Sequence, residues 1–246
     1  MVANDLPLYR YVSFDRFNQM LFSRELAFLS PFTWPDTYEL YWLKLLKTEE
    51  GRSRLEAYAK QFKGNTKNNA DRIINMCNYQ YNNTFCLCFS KAKDSEVFWN
   101  ARSDQNRCIM FATTRQKLYE LLLSKEPNCV IKEVQYDLES SDFDGLLKQF
   151  YVEPGFTSLV DAERLFLHKR KCFSYEEEVR LIIKPEKVPE NRKVFKYPIP
   201  CFGDFIDSVM VHPLASDEYV SLIELLCKHF NLPFQGRSEV YSFKLL

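Results

Sequence analysis

Three consecutive glutamates, Glu176–Glu178, stand just ahead of Arg180 and an apolar run. The β-branched and aliphatic residues of that run predict a strand. Successive side chains of a strand point to opposite faces, so Glu176, Glu178 and Arg180 are expected on one face. Like charges this close raise one carboxyl pKa, which suits a general base. The alternative is a solvated strand end with a local Glu–Arg pair.

The elements expected to position these residues alternate between short strands and helices, which predicts an α+β fold. It is expected to be a single domain, 1–246, with a mixed or antiparallel split sheet and flanking helices, and 43–82 as a helical insertion. The expected strands are 8–12, 26–29, 84–90, 108–112, 130–136, 194–199, 205–211 and 239–245. The expected helices are 14–22, 43–63 with a break at Gly51, 71–77, 116–123, 141–149, 160–171 and 217–229.

Composition excludes several function classes. The chain of 246 residues has only 6 glycines, and it contains neither of the glycine-rich phosphate-binding motifs, so Rossmann and P-loop chemistry are not expected. A formal net charge of zero removes the usual electrostatic signature of a dedicated nucleic-acid binder.

Targeting signals and cysteines point to the cytoplasm. No signal peptide or membrane-length apolar run is found, so we expect a cytoplasmic protein with no membrane contact and eight reduced cysteines. Cys77, Cys86, Cys88 and Cys108 are close enough in sequence to suggest zinc. Their spacing favours buried small side chains instead, and no metal is expected.

Several short motifs, taken in order, resemble a large bacterial family catalogued only as a domain of unknown function. They are Leu8-Tyr9-Arg10-Tyr11, Ser30-Pro31, Trp34-Pro35-Asp36-Thr37-Tyr38-Glu39, Cys88-Phe89-Ser90, Trp99, Cys108-Ile109-Met110-Phe111, Tyr136, Lys171 and Tyr175-Glu176-x-Glu178-x-Arg180. The chain departs from that pattern at Arg102, where a tyrosine is usual, and at Asn106-Arg107, where a glycine is usual.

A more distant resemblance carries a function. An arginine on a first strand, a serine ending a middle strand and Glu-x-Glu opening a late strand are similar to the arginine–serine–glutamate pattern of ADP-ribosyltransferases. Those positions fall on Arg10, Ser90, Glu176 and Glu178. The resemblance implies that NAD is a substrate and that its ribose becomes cationic as nicotinamide leaves.

The same resemblance implies a role for each residue. Glu178 would stabilise the ribose cation, and Glu176 would orient or deprotonate the acceptor. Arg10 would bind the pyrophosphate, and Ser90 would bond near the ribose. The rings that would stack on nicotinamide or adenine are those of Tyr11, Phe98 and Trp99.

Each role has a structural alternative. Arg10 would instead pair with Glu178 or Glu39, Ser90 would cap a strand end, and Phe98 and Trp99 would belong to the core. A Glu178→Gln change is expected to abolish activity with little loss of stability.

Three functions remain open at this stage. The first is an ADP-ribosyltransferase or NAD glycohydrolase acting as a toxin or anti-phage defence effector, with a protein or nucleic-acid acceptor. The second is a non-catalytic module that binds a nucleotide or a protein. The third is a nucleic-acid-directed enzyme whose entry groove is lined by Lys169, Arg170, Lys171 and Arg102.

Overall fold

The computed structural model describes residues 6–60, 66–101, 106–122, 128–137 and 166–242. The strands in these ranges are β1 (Pro7–Ser13), β2 (Glu25–Leu29), β3 (Phe85–Ser90), β4 (Cys108–Thr114), β5 (Cys129–Glu133), β6 (Glu178–Ile183), β7 (Val194–Pro198), β8 (Ser208–Val211) and β9 (Phe234–Arg237). The α-helices are α1 (Phe14–Ser23), α2 (Tyr41–Leu46), α3 (Glu49–Ala59), α4 (Thr66–Asn83), α5 (Glu96–Ala101), α6 (Arg115–Leu122) and α7 (Asp217–His229). Short 3-10 turns are Pro31–Thr33, Thr37–Leu40 and Lys171–Glu176.

The strands form one mixed sheet, which confirms the predicted fold class. The main order is β5-β6-β3-β1-β4-β8-β9, with β8 and β9 parallel and the other neighbours antiparallel. β3 pairs with β6 along its full length, but its other edge is divided between two strands. Ser90 pairs there with Tyr9 of β1, and Cys86 pairs with Leu29 of β2. The sheet therefore splits beside β3, as predicted.

The two faces of the sheet differ in what covers them. The larger apolar core lies on one face, where α1 and α7 pack against residues such as Phe89 and Phe111. On the other face, a smaller aromatic cluster contains Tyr9, Tyr11 and Trp99. Alternation along β1 thus divides its side chains between two buried environments.

Side-chain caps define several helix ends. The Ser13 hydroxyl accepts the backbone N–H of Arg16, and α1 ends at Arg24, whose φ of 54° is left-handed. Ser216 caps α7, which spans the predicted bounds. Thr114 Oγ1 accepts the N–H of Lys117 at 3.2 Å, as expected for the cap of α6.

Four predicted elements differ from the structure. The break in the first helical segment falls between α2 and α3, at 47–48, because Thr48 Oγ1 caps α3 by accepting the N–H of Gly51 at 3.0 Å. The next helix begins at Thr66 rather than Asp71. The last strand is β9; residues 239–242 form a turn instead.

The fourth difference concerns the chain that leads into the glutamates. Residues 166–171 of the expected 160–171 helix are not α-helical, and Gln135 forms a parallel bridge with His168. The helix expected at 141–149, like residues 160–165, lies outside the described residues. Within the ranges above, no helix is long and apolar enough to cross a membrane.

The Gly51 position provides a stability test. A Cβ there would lie 1.9 Å from the carbonyl oxygen of Leu45, so Gly51→Ala forces α2 and α3 apart. We expect a loss of about 2 kcal/mol or more in the free energy of unfolding, measured by urea denaturation. Gly203→Ala is the matched control, because its nearest neighbouring atom lies at 3.5 Å. Equal stability of the two variants would contradict this packing.

Candidate functional site

Glu178 and Arg180 form the centre of the site. They are two residues apart on β6 and point to the same face, as predicted. Arg180 Nε lies 2.8 Å from Glu178 Oε1, and Arg180 Nη2 lies 3.1 Å from Glu178 Oε2. Arg180 also donates from Nη1 to the carbonyl of Phe166 at 2.6 Å, and from Nη2 to Glu39. Because Arg180 is 1% exposed, this is a buried ion pair rather than a solvated strand end.

Lys169 links the carboxylates of the cluster. Its Nζ lies 3.2 Å from Glu178 Oε2 and 3.6 Å from Glu39 Oε1, and it also bonds Glu176. The lysine is 8% exposed, so the prediction that it lines an open basic groove is wrong. The extended backbone at this position turns the side chain into the cluster. Arg102, named with it, lies outside the described residues.

Three carboxylates and two cations make up this group, which we call the carboxylate cluster: Glu39, Lys169, Glu176, Glu178 and Arg180. Burial alone would raise the pKa of Glu178, but Arg180 and then Lys169 outweigh it and hold that pKa well below its usual range. Burial also raises the pKa of Glu176, and the bond from Lys169 offsets this only in part. One carboxylate is thus fixed in its ionised form while its neighbour is poised to take a proton.

Ser90 positions the turn that carries Glu176. The Ser90 hydroxyl donates to the backbone carbonyl of Glu176 at 2.7 Å and accepts the N–H of Ala92 at 2.9 Å. The turn ends at Glu177, whose φ of 41° is left-handed, and β6 then begins. Ser90 also pairs with Glu178 in the β3–β6 register. The serine therefore caps the strand end and holds both glutamates in place, while its bond near the ribose stays a prediction.

The loop from Ser30 to Glu39 packs over the carboxylate cluster. Glu39 pairs with Arg180, and the Trp34 ring lies 4.3 Å from the Arg180 guanidinium carbon. Sequence reasoning missed the pairing of Glu39 with Arg180 and the pairing of Lys169 with the carboxylates. The motif resemblance could have indicated these pairings. Two of its segments, Trp-Pro-Asp-x-Tyr-Glu and Tyr-Glu-x-Glu-x-Arg, contact each other at the carboxylate cluster.

Arg10 does not face the carboxylate cluster. Tyr9 pairs with Ser90 and Ser90 pairs with Glu178, so these three side chains share one face of the sheet. Arg10 therefore takes the opposite face, where its guanidinium carbon lies 5.8 Å from the centre of the Phe89 ring. Its Nη1 donates to the carbonyl of Cys88 beside the split in the sheet. The expected convergence of Arg10 with Glu178 on one face of the sheet is therefore wrong.

The aromatic residues predicted to stack on a ligand differ in access. Tyr11 is buried, and its hydroxyl accepts the N–H of Ser95 at 2.9 Å. Trp99 is fully buried and donates to Asp94 at 2.8 Å, so it belongs to the core. Phe98 is half-buried, with its ring 4.9 Å from that of Tyr11 and 6.4 Å from the exposed ring of Tyr175.

The cysteines near the site are single thiols. Cys88 lies next to Glu178, and burial raises its pKa well above the usual value. Burial likewise raises the pKa of Cys86 to about 12. Among the described residues, no three His, Cys, Asp or Glu side chains form a group that could hold a metal ion.

No family model matches the chain, and no curated protein matches it. Three solved structures of Thermus sp. 2.9 DarT are similar to it. The complex with ADP-ribosylated ssDNA has 10% identity, a TM-score of 0.42 and coverage of 96% of each chain.

The NAD+ complex of the same protein has 10% identity and a TM-score of 0.42, covering 97% of this chain and 98% of that one. The carba-NAD+ complex has 12% identity and a TM-score of 0.38, covering 96% and 95%.

The two glutamates are expected to differ in their effect on stability. Glu178→Gln leaves buried Arg180 and Lys169 without their main counter-charge, which costs roughly 3–5 kcal/mol of unfolding free energy at pH 7. This burial and pairing replace the earlier expectation that Glu178→Gln would be nearly neutral. Glu176 has a raised pKa in the folded state, so its ionised form opposes folding above pH 4.5 and that cost disappears below it. Glu176→Gln should therefore cost less than about 1 kcal/mol.

Urea denaturation of both variants at pH 7 measures this difference. Equal losses, or a larger loss for Glu176→Gln, would contradict the assignment of the two protonation states.

Proposed function

We propose that this protein binds NAD and breaks its nicotinamide–ribose bond, as an ADP-ribosyltransferase or NAD glycohydrolase. The observation that carries the proposal is the carboxylate cluster, which has one more negative than positive group. Two of its carboxylates, Glu176 and Glu178, have pKa values shifted in opposite directions. A general acid–base site that handles a cation needs both features.

The charge of the cluster matches the charge of the reaction. The nicotinamide of NAD is a cationic pyridinium, and positive charge moves onto the ribose as the C1′–N bond lengthens. The bonding electrons go to the nicotinamide nitrogen, which leaves neutral. An ionised Glu178, held rigidly by Arg180, supplies fixed negative charge where that ribose cation would form.

Glu176 is assigned to the acceptor. Its side chain is 18% exposed, more than that of Glu178 at 8%, so an incoming nucleophile reaches it first. The acceptor forms a bond to C1′ and gives its proton to Glu176, whose raised pKa favours holding it. Water as acceptor gives NAD hydrolysis, and a protein or nucleic-acid group gives transfer.

The remaining residues position these two. Ser90 fixes the turn, and Phe98 with Tyr175 offers partly exposed rings for a planar base. Arg10 is given no role in this proposal, since its side chain takes the face of the sheet opposite to Glu178. A role as a toxin or anti-phage defence effector is part of the same proposal.

A non-catalytic nucleotide- or protein-binding module is the second candidate. One observation favours this module: both oxygens of Glu178 already accept bonds from Arg180 and Lys169. The carboxylate of Glu178 therefore already has partners within the protein. Such a module would be stabilised by NAD against heat without consuming it.

Nicotinamide release tests the enzymatic proposal directly. The protein, NAD and a cell lysate should yield free nicotinamide, measured by chromatography. Glu176→Gln should lower the rate of transfer by at least about 100-fold, because it removes the proton acceptor but keeps the shape. Glu177→Gln is the matched control, because this exposed neighbour lies outside the cluster and should retain full turnover.

Absence of nicotinamide together with thermal stabilisation by NAD would favour the binding module. Full turnover by Glu176→Gln would remove Glu176 from the mechanism.

The pH dependence of the rate follows from the pKa of Glu176. The base must be ionised to accept a proton, so the rate should rise with pH through a midpoint above 4.5. Lys169 lowers this pKa, so Lys169→Met should move the midpoint upward. Steady-state rates between pH 4.5 and 8 measure both midpoints, and an unmoved midpoint would contradict the role of Lys169.

A further inference from the structure

A second arginine beside the carboxylate cluster contacts two aromatic rings. The guanidinium carbon of Arg170 lies 4.2 Å from the centre of the Tyr38 ring and 5.1 Å from that of Phe173. Its side chain is 36% exposed, unlike the buried Arg180. Contact with these rings favours the guanidinium in this position and restricts the motion of its donors.

The donors of Arg170 are only partly used. Arg170 Nη2 lies 3.3 Å from both carboxylate oxygens of Asp36, which is long for a charge-assisted bond. Arg170 Nε is buried and has no partner among the described residues. Nε and Nη2 lie on the same edge of a guanidinium, so one of the two donors on this edge is unsatisfied.

Arg180 provides the comparison within the same chain. On that arginine the same edge is fully used, with Nε and Nη2 at 2.8 and 3.1 Å from the two oxygens of Glu178. Asp36 does not make this pairing with Arg170, because both of its oxygens face Nη2 and neither reaches Nε. Its Oδ1 also accepts the N–H of Tyr38 at 3.0 Å within a turn. The Nε and Nη2 edge of Arg170 can donate to two acceptor oxygens at once, and Asp36 does not use it in this way.

We propose that Arg170, in contact with the rings of Tyr38 and Phe173, is a binding site for the diphosphate of a nucleotide, and that Asp36 covers it until the ligand binds. Two oxygens of a phosphate would engage Nε and Nη2 together, which the Asp36 carboxylate does not. The ligand displaces Asp36 from the guanidinium and satisfies the buried Nε. The exposed Lys171 next in sequence adds positive charge nearby.

The location of Arg170 fits a ligand that spans both sites. Arg170 follows Lys169, whose Nζ contacts the two glutamates, and precedes the turn that carries Glu176. The assignment of the diphosphate within NAD rests on the proposed function. Arg170 would take the pyrophosphate-binding role that the resemblance implied for Arg10. Binding of a nucleoside diphosphate itself does not depend on turnover.

Binding of ADP, measured by isothermal titration calorimetry at low salt, tests the proposal. Arg170→Lys keeps the charge but loses the paired donors, and should weaken ADP binding roughly tenfold or more. Asp36→Asn removes the competing charge while its side-chain oxygen can still accept the N–H of Tyr38. It should tighten ADP binding about threefold. Arg16→Lys, an exposed arginine on α1, is the matched control and should bind as the unaltered protein does.

Adenosine is the counter-probe, because it has the base and ribose but no phosphate. It should bind at least tenfold more weakly than ADP, and Arg170→Lys should not affect its binding. No ADP binding by the unaltered protein, equal binding by Arg170→Lys, or no tightening in Asp36→Asn would each overturn the proposal. ADP binding that depends on Arg170 but without NAD consumption would uphold this site and refute the enzymatic proposal.

Discussion

The structure depends on the mutual compensation of buried charges around Arg180. Removing five ionised groups from water is costly, and each is tolerated only because the others stand within bonding distance. The cluster draws Glu39 from the early loop, Lys169 from the extended segment, Glu176 from the 3-10 turn, and the remaining pair from β6. Displacing any one segment would leave an uncompensated charge on the others, so the cluster fixes the relative positions of all four.

The same compensation separates the two glutamates chemically. Glu178 lies on a strand that is hydrogen-bonded on both edges, and Arg180 meets it with two donors. Glu176 lies two residues earlier, in the 3-10 turn, where Lys169 is the cation in contact. Burial there has the larger effect on its pKa and raises it. A strand and a turn that meet at Glu177 thus give two identical side chains different proton affinities. Because the negative groups outnumber the positive ones, the cluster retains capacity to stabilise a further cation.

Local pattern was sufficient to predict much of the fold. The short apolar runs of β1, β3 and β6 and the helical spacing of α7 depend on neighbours in sequence, so those elements were predicted. The division of the chain into one domain with a helical insertion stays a prediction. The face occupied by Arg10 was mispredicted, because it follows from the register of Tyr9 with Ser90, which one strand alone does not encode. The backbone at Lys169 was mispredicted as helical, because its pairing with Gln135 depends on a distant segment that the local sequence does not encode.

The central claim is that one site holds a fixed anion and a neighbouring proton acceptor. Carboxyl-selective NMR of protein labelled with 13C at the glutamate side chains reports both titrations in one sample, with Glu176→Gln and Glu178→Gln assigning the signals. The account predicts that the Glu178 signal stays ionised throughout the folded range, while the Glu176 signal titrates above 4.5. Two signals that titrate together near 4.5, or the reverse order, would contradict it.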